Sequence, residues 1–153
     1  LRRSIGGRLE VGQASPGLAL VSLSLSTRRL VLLVIEDNPS MVQLIARYLA
    51  DQQYTVLSAG SVEEGLAAAQ RTQPDVILLD VMMPGLDGFG VCAKLRENPR
   101  YEDVPIILLT AVGAHIRDTK YPISGVMRAQ AQEYLEKPVS PQELLSTVSR
   151  CLQ

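Results

Sequence analysis

The sequence predicts an α/β protein, a doubly wound parallel sheet of five strands with helices on both faces. Three observations predict it. From Leu30 onward short apolar runs alternate with helix-like stretches five times. Runs such as Leu30 to Ile35 are continuously apolar, as parallel strands covered on both faces are. The helix-like stretches open on residues that cap helices. Strand–helix alternation of this kind closes a parallel sheet through right-handed crossovers.

Each unit has its own signals. After the first strand, Asn38 and Pro39 supply a cap and a first-turn proline, and Met41, Val42, Leu44, Ile45, Tyr48 and Leu49 then recur at helical spacing. Tyr54 to Ala59 reads as the second strand. Ser61 with Glu64 forms a capping box for a helix to about Arg71, which Pro74 closes off. Asp75 to Leu79 is the third strand, Gly88 to Arg96 the third helix and Val104 to Leu109 the fourth strand. A helix between Ala114 and Ala131 is expected short or bent, because Pro122 and Gly125 interrupt it. Glu133 to Glu136 is a short last strand, and Ser140, Pro141 and Glu143 open a final helix to about Cys151.

Residues 1–28 differ: Gly6, Gly7, Gly12, Pro16 and Gly17 and scattered arginines accompany no helical period. They are expected to form a flexible leader ahead of one domain over 29–153. Within the leader, Val21 to Ser26 alternates like an exposed strand. A signal-peptide reading behind Arg2, Arg3 and Arg8 is weakened by serines in the apolar stretch.

Composition limits the function classes. The 153 residues suit one core, and 46% hydrophobic with 20% charged residues describes a globular chain, too apolar for a disordered one. Fifteen basic against sixteen acidic residues, a net charge of -1, give no general attraction to nucleic acid or to a membrane surface. No apolar run is long enough to span a bilayer. Cys92 and Cys151 fit neither a metal motif nor a disulfide framework, which suits a reducing cytoplasm.

In an open parallel sheet, ligands bind at the carboxyl ends of the strands. Four of these ends carry polar groups where the apolar run stops: Glu36 and Asp37, Asp80, Thr110, and Lys137. Three carboxylates on one rim repel one another and call for a cation. Hard oxygen ligands of this number suit Mg²⁺. A carboxylate nucleophile, an ammonium and a hydroxyl around such an ion meet the needs of phosphoryl transfer, which are positioning and charge neutralisation. Asp80, Lys137 and Thr110 fit those three roles.

These residues carry a resemblance. Glu36-Asp37, the stretch Asp80-Val-Met-Met-Pro-Gly-Leu-Asp-Gly-Phe, Thr110-Ala111 and Lys137-Pro138 resemble the receiver domain of two-component response regulators, over about Arg29 to the C-terminus. The resemblance implies a flavodoxin-like fold with strand order 2-1-3-4-5. It implies that Asp80 accepts phosphate from the phosphohistidine of a sensor histidine kinase or phosphotransfer protein. Mg²⁺ is then held by Asp37, Asp80 and the Met82 backbone carbonyl, with Glu36 on a metal-bound water, and Lys137 contacts the phosphoryl group. Thr110 and Tyr134 match the family's switch pair. The implied output is contact with a downstream protein target in the cytoplasm, with no direct contact to nucleic acid or membrane, and homodimerisation through the fourth helix and last strand is a further implication. The protein would not be an enzyme beyond its own phosphorylation and dephosphorylation. Departures are a longer stretch from Thr110 to Lys137, Gln130 where the family commonly has Gly, and Gly90 where it often has Glu.

Plainer readings compete with each motif. Acidic residues after a strand are often caps or solvated loop ends, and only the set of four strand ends outweighs this for Glu36 and Asp37. Asp87-Gly88 reads as turn chemistry with Asp87 capping the third helix. His115, the sole histidine, has no partner motif and receives no role. The cysteines are expected to pack as small apolar residues, and Met82 and Met83 to be structural. Two rival functions remain. One is a pseudo-receiver that docks without being phosphorylated, against which the complete acidic set counts. The other is a haloacid dehalogenase-type phosphatase, which needs a second Asp where Met82 stands. Lys137→Ala is expected to impair switching more than folding, since a strand's exposed end adds little core.

Overall fold

The computed structural model describes residues 7–15, 18–25, 28–83, 88–110 and 131–152. Two sheets are present among them. Strands β1 (Gly7–Ser15) and β2 (Leu18–Leu25) pair antiparallel, from Gly7 opposite Leu25 to Ser15 opposite Leu18, with an irregularity between Gln13 and Ser15. The strand expected from Val21 to Ser26 falls within β2 as far as Leu25, and Ser26 lies outside the described residues. Residues 7–15 and 18–25 of the segment expected to be a flexible leader pair as this hairpin.

The main sheet holds β3 (Leu30–Ile35), β4 (Tyr54–Ala59), β5 (Val76–Asp80), β6 (Ile106–Thr110) and β7 (Glu133–Glu136). Its order is β4-β3-β5-β6-β7 and every neighbouring pair is parallel. Counted from β3, this is the expected 2-1-3-4-5. The chain leaves β3 toward one edge and then crosses to β5 on its other side, so the topology reverses between β3 and β5. Such a switch point opens a crevice at the carboxyl ends.

Successive side chains of a strand face opposite sides, and both sides here are apolar. Leu33, Ile35, Ile77, Leu79, Ile106 and Leu108 pack with α2 (Val62–Thr72) and α3 (Gly88–Glu97) through Ala68, Ala69, Val91, Cys92 and Leu95. Leu32, Val34, Val76, Leu78, Ile107 and Leu109 pack with α1 (Pro39–Tyr48) and α4 (Pro141–Cys151) through Ile45, Leu144 and Val148. Each fully buried Leu or Ile stabilises by roughly 1.5–3 kcal/mol. That double cover explains the continuous apolar runs.

The helix starts follow the cap residues. The Asn38 side chain accepts from the Ser40 N–H at 3.0 Å and Ser61 Oγ from the Glu64 N–H at 3.2 Å. Ser140 and Glu143 form a reciprocal box. Helix α2 ends where Gln73 turns left-handed, at φ 48°, just before Pro74. It also lies unusually close to β3: a Cβ on Gly65 would fall 2.6 Å from Ile35 Cδ1, so glycine permits the approach. A short 3₁₀ turn, Pro99–Tyr101, capped by Asn98, was not foreseen although the Asn-Pro pair signals it. Strand β6 begins at Ile106, two residues later than expected, because this turn and its exit use the preceding chain. The helix expected over 114–131, with Pro122, Gly125, His115 and Gln130, lies outside the described residues but for Ala131, and so does Asp87.

Candidate functional site at the carboxyl rim

The polar residues predicted at the strand ends do converge. Glu36 follows β3 and is held by the ladder, its N–H donating to Ala59 O at 3.0 Å. Asp80 is the last residue of β5, and Thr110 the last of β6. Lys137 follows β7, its N–H donating to Thr110 O at 2.8 Å, and its bond to Pro138 is cis. The backbone ladders therefore carry all four to one edge of the sheet.

There the side chains meet. Lys137 Nζ donates to Glu36 Oε2 at 2.9 Å and lies 3.2 Å from Asp80 Oδ2. Glu36, Asp37 and Asp80 each place a carboxylate oxygen within 4.8 Å of the others. Glu36 and Asp80 are buried, whereas Asp37 is exposed. Backbone donors fix the two buried carboxylates: the Asn38 N–H donates to Glu36 Oε1 at 3.1 Å and the Met82 N–H to Asp80 Oδ1 at 2.9 Å. The two-residue reach in both cases lets each carboxylate organise the loop that follows its strand.

The charges shape one another. Burial pushes the Glu36 carboxyl above the usual carboxylate range, the hydrogen bonds from Lys137 and Asn38 pull it back, and Asp80 adds to the rise. Burial of the Lys137 ammonium acts to lower its pKa, but the hydrogen bond to Glu36 and the charges of Asp80 and Glu36 outweigh it, so the group is held above the ordinary lysine value. Lysine therefore stays charged, and it pairs with two of the three clustered carboxylates. The excess of negative charge and the all-oxygen donor set fit a hard divalent ion such as Mg²⁺.

Thr110 is buried, and its hydroxyl donates to Leu135 O at a long 3.4 Å. Tyr134 is opposite Leu108, two positions back from Thr110 on the same face, and is half-buried against the core there. Met83 is buried as expected, but Met82 is 59% exposed beside the acidic rim, since its position on the loop points away from the core that Met83 fills. Cys92 is buried and Cys151 half-buried, as expected of packing residues.

Fold and rim together define a class, and comparison with known proteins places the chain within it. The chain belongs to the response regulator receiver domain family of two-component systems, whose model matches residues 32–149. It is 38% identical over 122 residues to the DNA-binding dual master transcriptional regulator RpaA of Synechocystis sp., across 80% of this chain and 48% of RpaA. It is 38% identical over 117 residues to the response regulator PleD of Caulobacter vibrioides, across 76% of this chain and 25% of PleD. The high-resolution structure of the chemotaxis response regulator CheY4 of Vibrio cholerae superimposes with a TM-score of 0.70 at 32% identity, covering 80% of this chain and 98% of that chain. The chain thus spans about half the length of RpaA. Among the described residues no helix is long and apolar enough to cross a membrane.

Sequence reading missed two polar residues far from this rim. Arg96, near the end of α3, and Gln132, just before β7, are joined by a 2.8 Å hydrogen bond. Nothing in their spacing along the chain, 36 residues apart, signals the pairing.

Proposed function

We propose that the chain is a phosphoacceptor switch in which Asp80 receives a phosphoryl group from the phosphohistidine of a sensor kinase or phosphotransfer protein. The observation that carries this reading is the buried Asp80 carboxylate, 3.2 Å from the Lys137 ammonium and clustered with Glu36 and Asp37. Glu36, Asp37 and Asp80, with the Met82 carbonyl, are the residues that would hold Mg²⁺. The ion supplies neutralisation of the charge on the phosphoryl oxygens.

The chain's own groups do the rest. One Asp80 carboxylate oxygen attacks phosphorus, the O–P bond forms as the P–N bond to the donor imidazole breaks, and the ring, already protonated on its other nitrogen, takes the bond's electron pair and leaves as neutral imidazole. The backbone N–H of Met82 keeps the carboxylate oriented for that attack. Lys137 has three N–H donors, two of which serve Glu36 and Asp80, and the third can pair with a phosphoryl oxygen. The Thr110 hydroxyl is bound loosely, at a distance beyond the usual range for such a bond, so it can turn to the phosphoryl group at small cost. Movement of Thr110 frees space on the face it shares with Tyr134, and inward motion of that ring would alter the surface offered to a downstream protein. We place this exchange in the cytoplasm.

The test is chemical. The protein is incubated with Mg²⁺ and acetyl phosphate or phosphoramidate, and its intact mass is followed. The expected result is one phosphoryl adduct, stable to acid, labile to base and lost in Asp80→Asn. No adduct on the parent chain would instead identify a docking module that takes no phosphate, and turnover of an unrelated phosphate ester would identify a phosphatase.

A further inference from the structure

Strand β7 delivers Lys137 to the rim, yet it is four residues long, lies at the sheet edge and buries only Leu135 among its own residues. All four of its residues pair with β6, and bonds just beyond each end add to that ladder. At the carboxyl end the Lys137 N–H donates to Thr110 O at 2.8 Å. At the amino end Gln132 is bound twice to Ile106: its N–H donates to Ile106 O at 3.0 Å and its Oε1 accepts from the Ile106 N–H at 2.8 Å.

The same Gln132 Oε1 accepts from Arg96 Nη2 at 2.8 Å. The other arm of that guanidinium, Nη1, shares its two N–H groups among Tyr101 O at 2.6 Å, Glu102 O at 3.0 Å and Val104 O at 2.8 Å. A planar, rigid, charged fork engaged on both arms fixes the distance between whatever it holds. Here it holds α3, the chain leading into β6 and the start of β7. We infer that Arg96 is a positioning residue for Lys137, setting the amino end of β7 through Gln132 so that the ammonium reaches Asp80 at the far end.

The inference rests on the phosphoacceptor reading, and it makes a separable claim. The carboxylates hang on β3 and β5, whereas Arg96 and Gln132 act on β7. Phosphoryl transfer should therefore suffer while Mg²⁺ affinity does not.

The experiment compares the parent chain, Gln132→Ala, Lys137→Ala and the double variant, measuring the initial rate of Asp80 phosphorylation by acetyl phosphate and the dissociation constant for Mg²⁺ alone. Gln132 is exposed and its loss leaves the three carbonyl bonds of Arg96 intact, so the variant is expected to fold. Gln132→Ala should slow phosphorylation about five- to tenfold, as a displaced reacting group does. The Mg²⁺ constant should stay within about twofold, and in the Lys137→Ala background the same substitution should add nothing. Arg96→Ala should reproduce this pattern, with partial recovery in Arg96→Lys. Equal slowing in both backgrounds, loss of Mg²⁺ affinity in step with the rate, or an unchanged rate would each overturn the inference while leaving the phosphoacceptor reading in place. A parent chain that takes no phosphate overturns that reading and this inference together.

Discussion

The two ends of the main sheet use polar side chains in opposite ways. At the amino ends, buried Asp75 accepts from the Val31 N–H at 2.7 Å and pairs with Arg28 at 3.5 Å, while Arg96 and Gln132 bind backbone carbonyls and an N–H. At the carboxyl ends Glu36, Asp80 and Lys137 chiefly face one another. The polar groups at the amino ends hold backbone of neighbouring strands and serve the fold. Like charges gathered around one ammonium are satisfied only in part, and that shortfall is what lets the rim take up a cation and a phosphoryl group.

Four substitutions probe this contrast. The largest effect on stability should come at the structural end: Asp75→Ala strips the Val31 N–H of its acceptor inside the fold and should cost about 3 kcal/mol, read from urea denaturation, without preventing phosphorylation of Asp80. A variant that kept full stability would erase the distinction between the ends.

Lys137→Ala comes next. The sequence alone leads to an expectation of little folding cost, but the ammonium lies between two buried carboxylates, and its removal leaves both without that partner. Discounted for partial exposure, a loss of about 2 kcal/mol is expected in Mg²⁺-free buffer. Saturating Mg²⁺ should recover most of it, since a ligand at about 100 times its dissociation constant stabilises by roughly 2.7 kcal/mol. Thermal melts with and without the ion decide this, and a loss that Mg²⁺ leaves untouched would assign Lys137 to the fold rather than to the charge cluster.

Gly65→Ala sharpens the point from the packing side, because it pushes on Ile35, the residue before Glu36. Overpacking there should cost about 1–2 kcal/mol, and Ile35→Val, which removes the nearest atom, should return part of it in the double variant. Smallest is Ser140→Ala at the start of α4, expected to cost about 1 kcal/mol through loss of the capping box and to leave both ends of the sheet otherwise unaltered. Denaturation midpoints shifted with unchanged slope would show that each changes stability and not the surface exposed on unfolding.

How much of this was legible differs by residue. Strands β3, β4 and β7 have the bounds expected from the sequence, and in β3 burial over 32–35 gives an apolar run with an abrupt polar end at Glu36. Asn38, Ser61 and Ser140 could be read as caps because a cap is a local bond between residues two or three apart. Glu36, Asp37, Asp80, Thr110 and Lys137 were legible as a group because strand ends on one side of a parallel sheet must lie together. Asp75 was read only as the start of a strand, and Arg96 and Gln132 were not singled out at all. Asp75 and Gln132 bind backbone atoms far along the chain, and Arg96 binds nearby carbonyls and a distant side chain, none of which has a signature in residue type. The hairpin of β1 and β2 was half legible, through the alternation in the second strand.

The order of apolar runs, caps and polar strand ends was decided by the sequence itself, because each depends on neighbours a few residues away or on a period of two or 3.6. What only the tertiary structure decided is which charge meets which. The pairing of Lys137 with Glu36 spans 101 positions and that of Arg96 with Gln132 spans 36. Contacts of such separation depend on the register of whole strands against one another, and register is a property of the assembled sheet rather than of any segment within it.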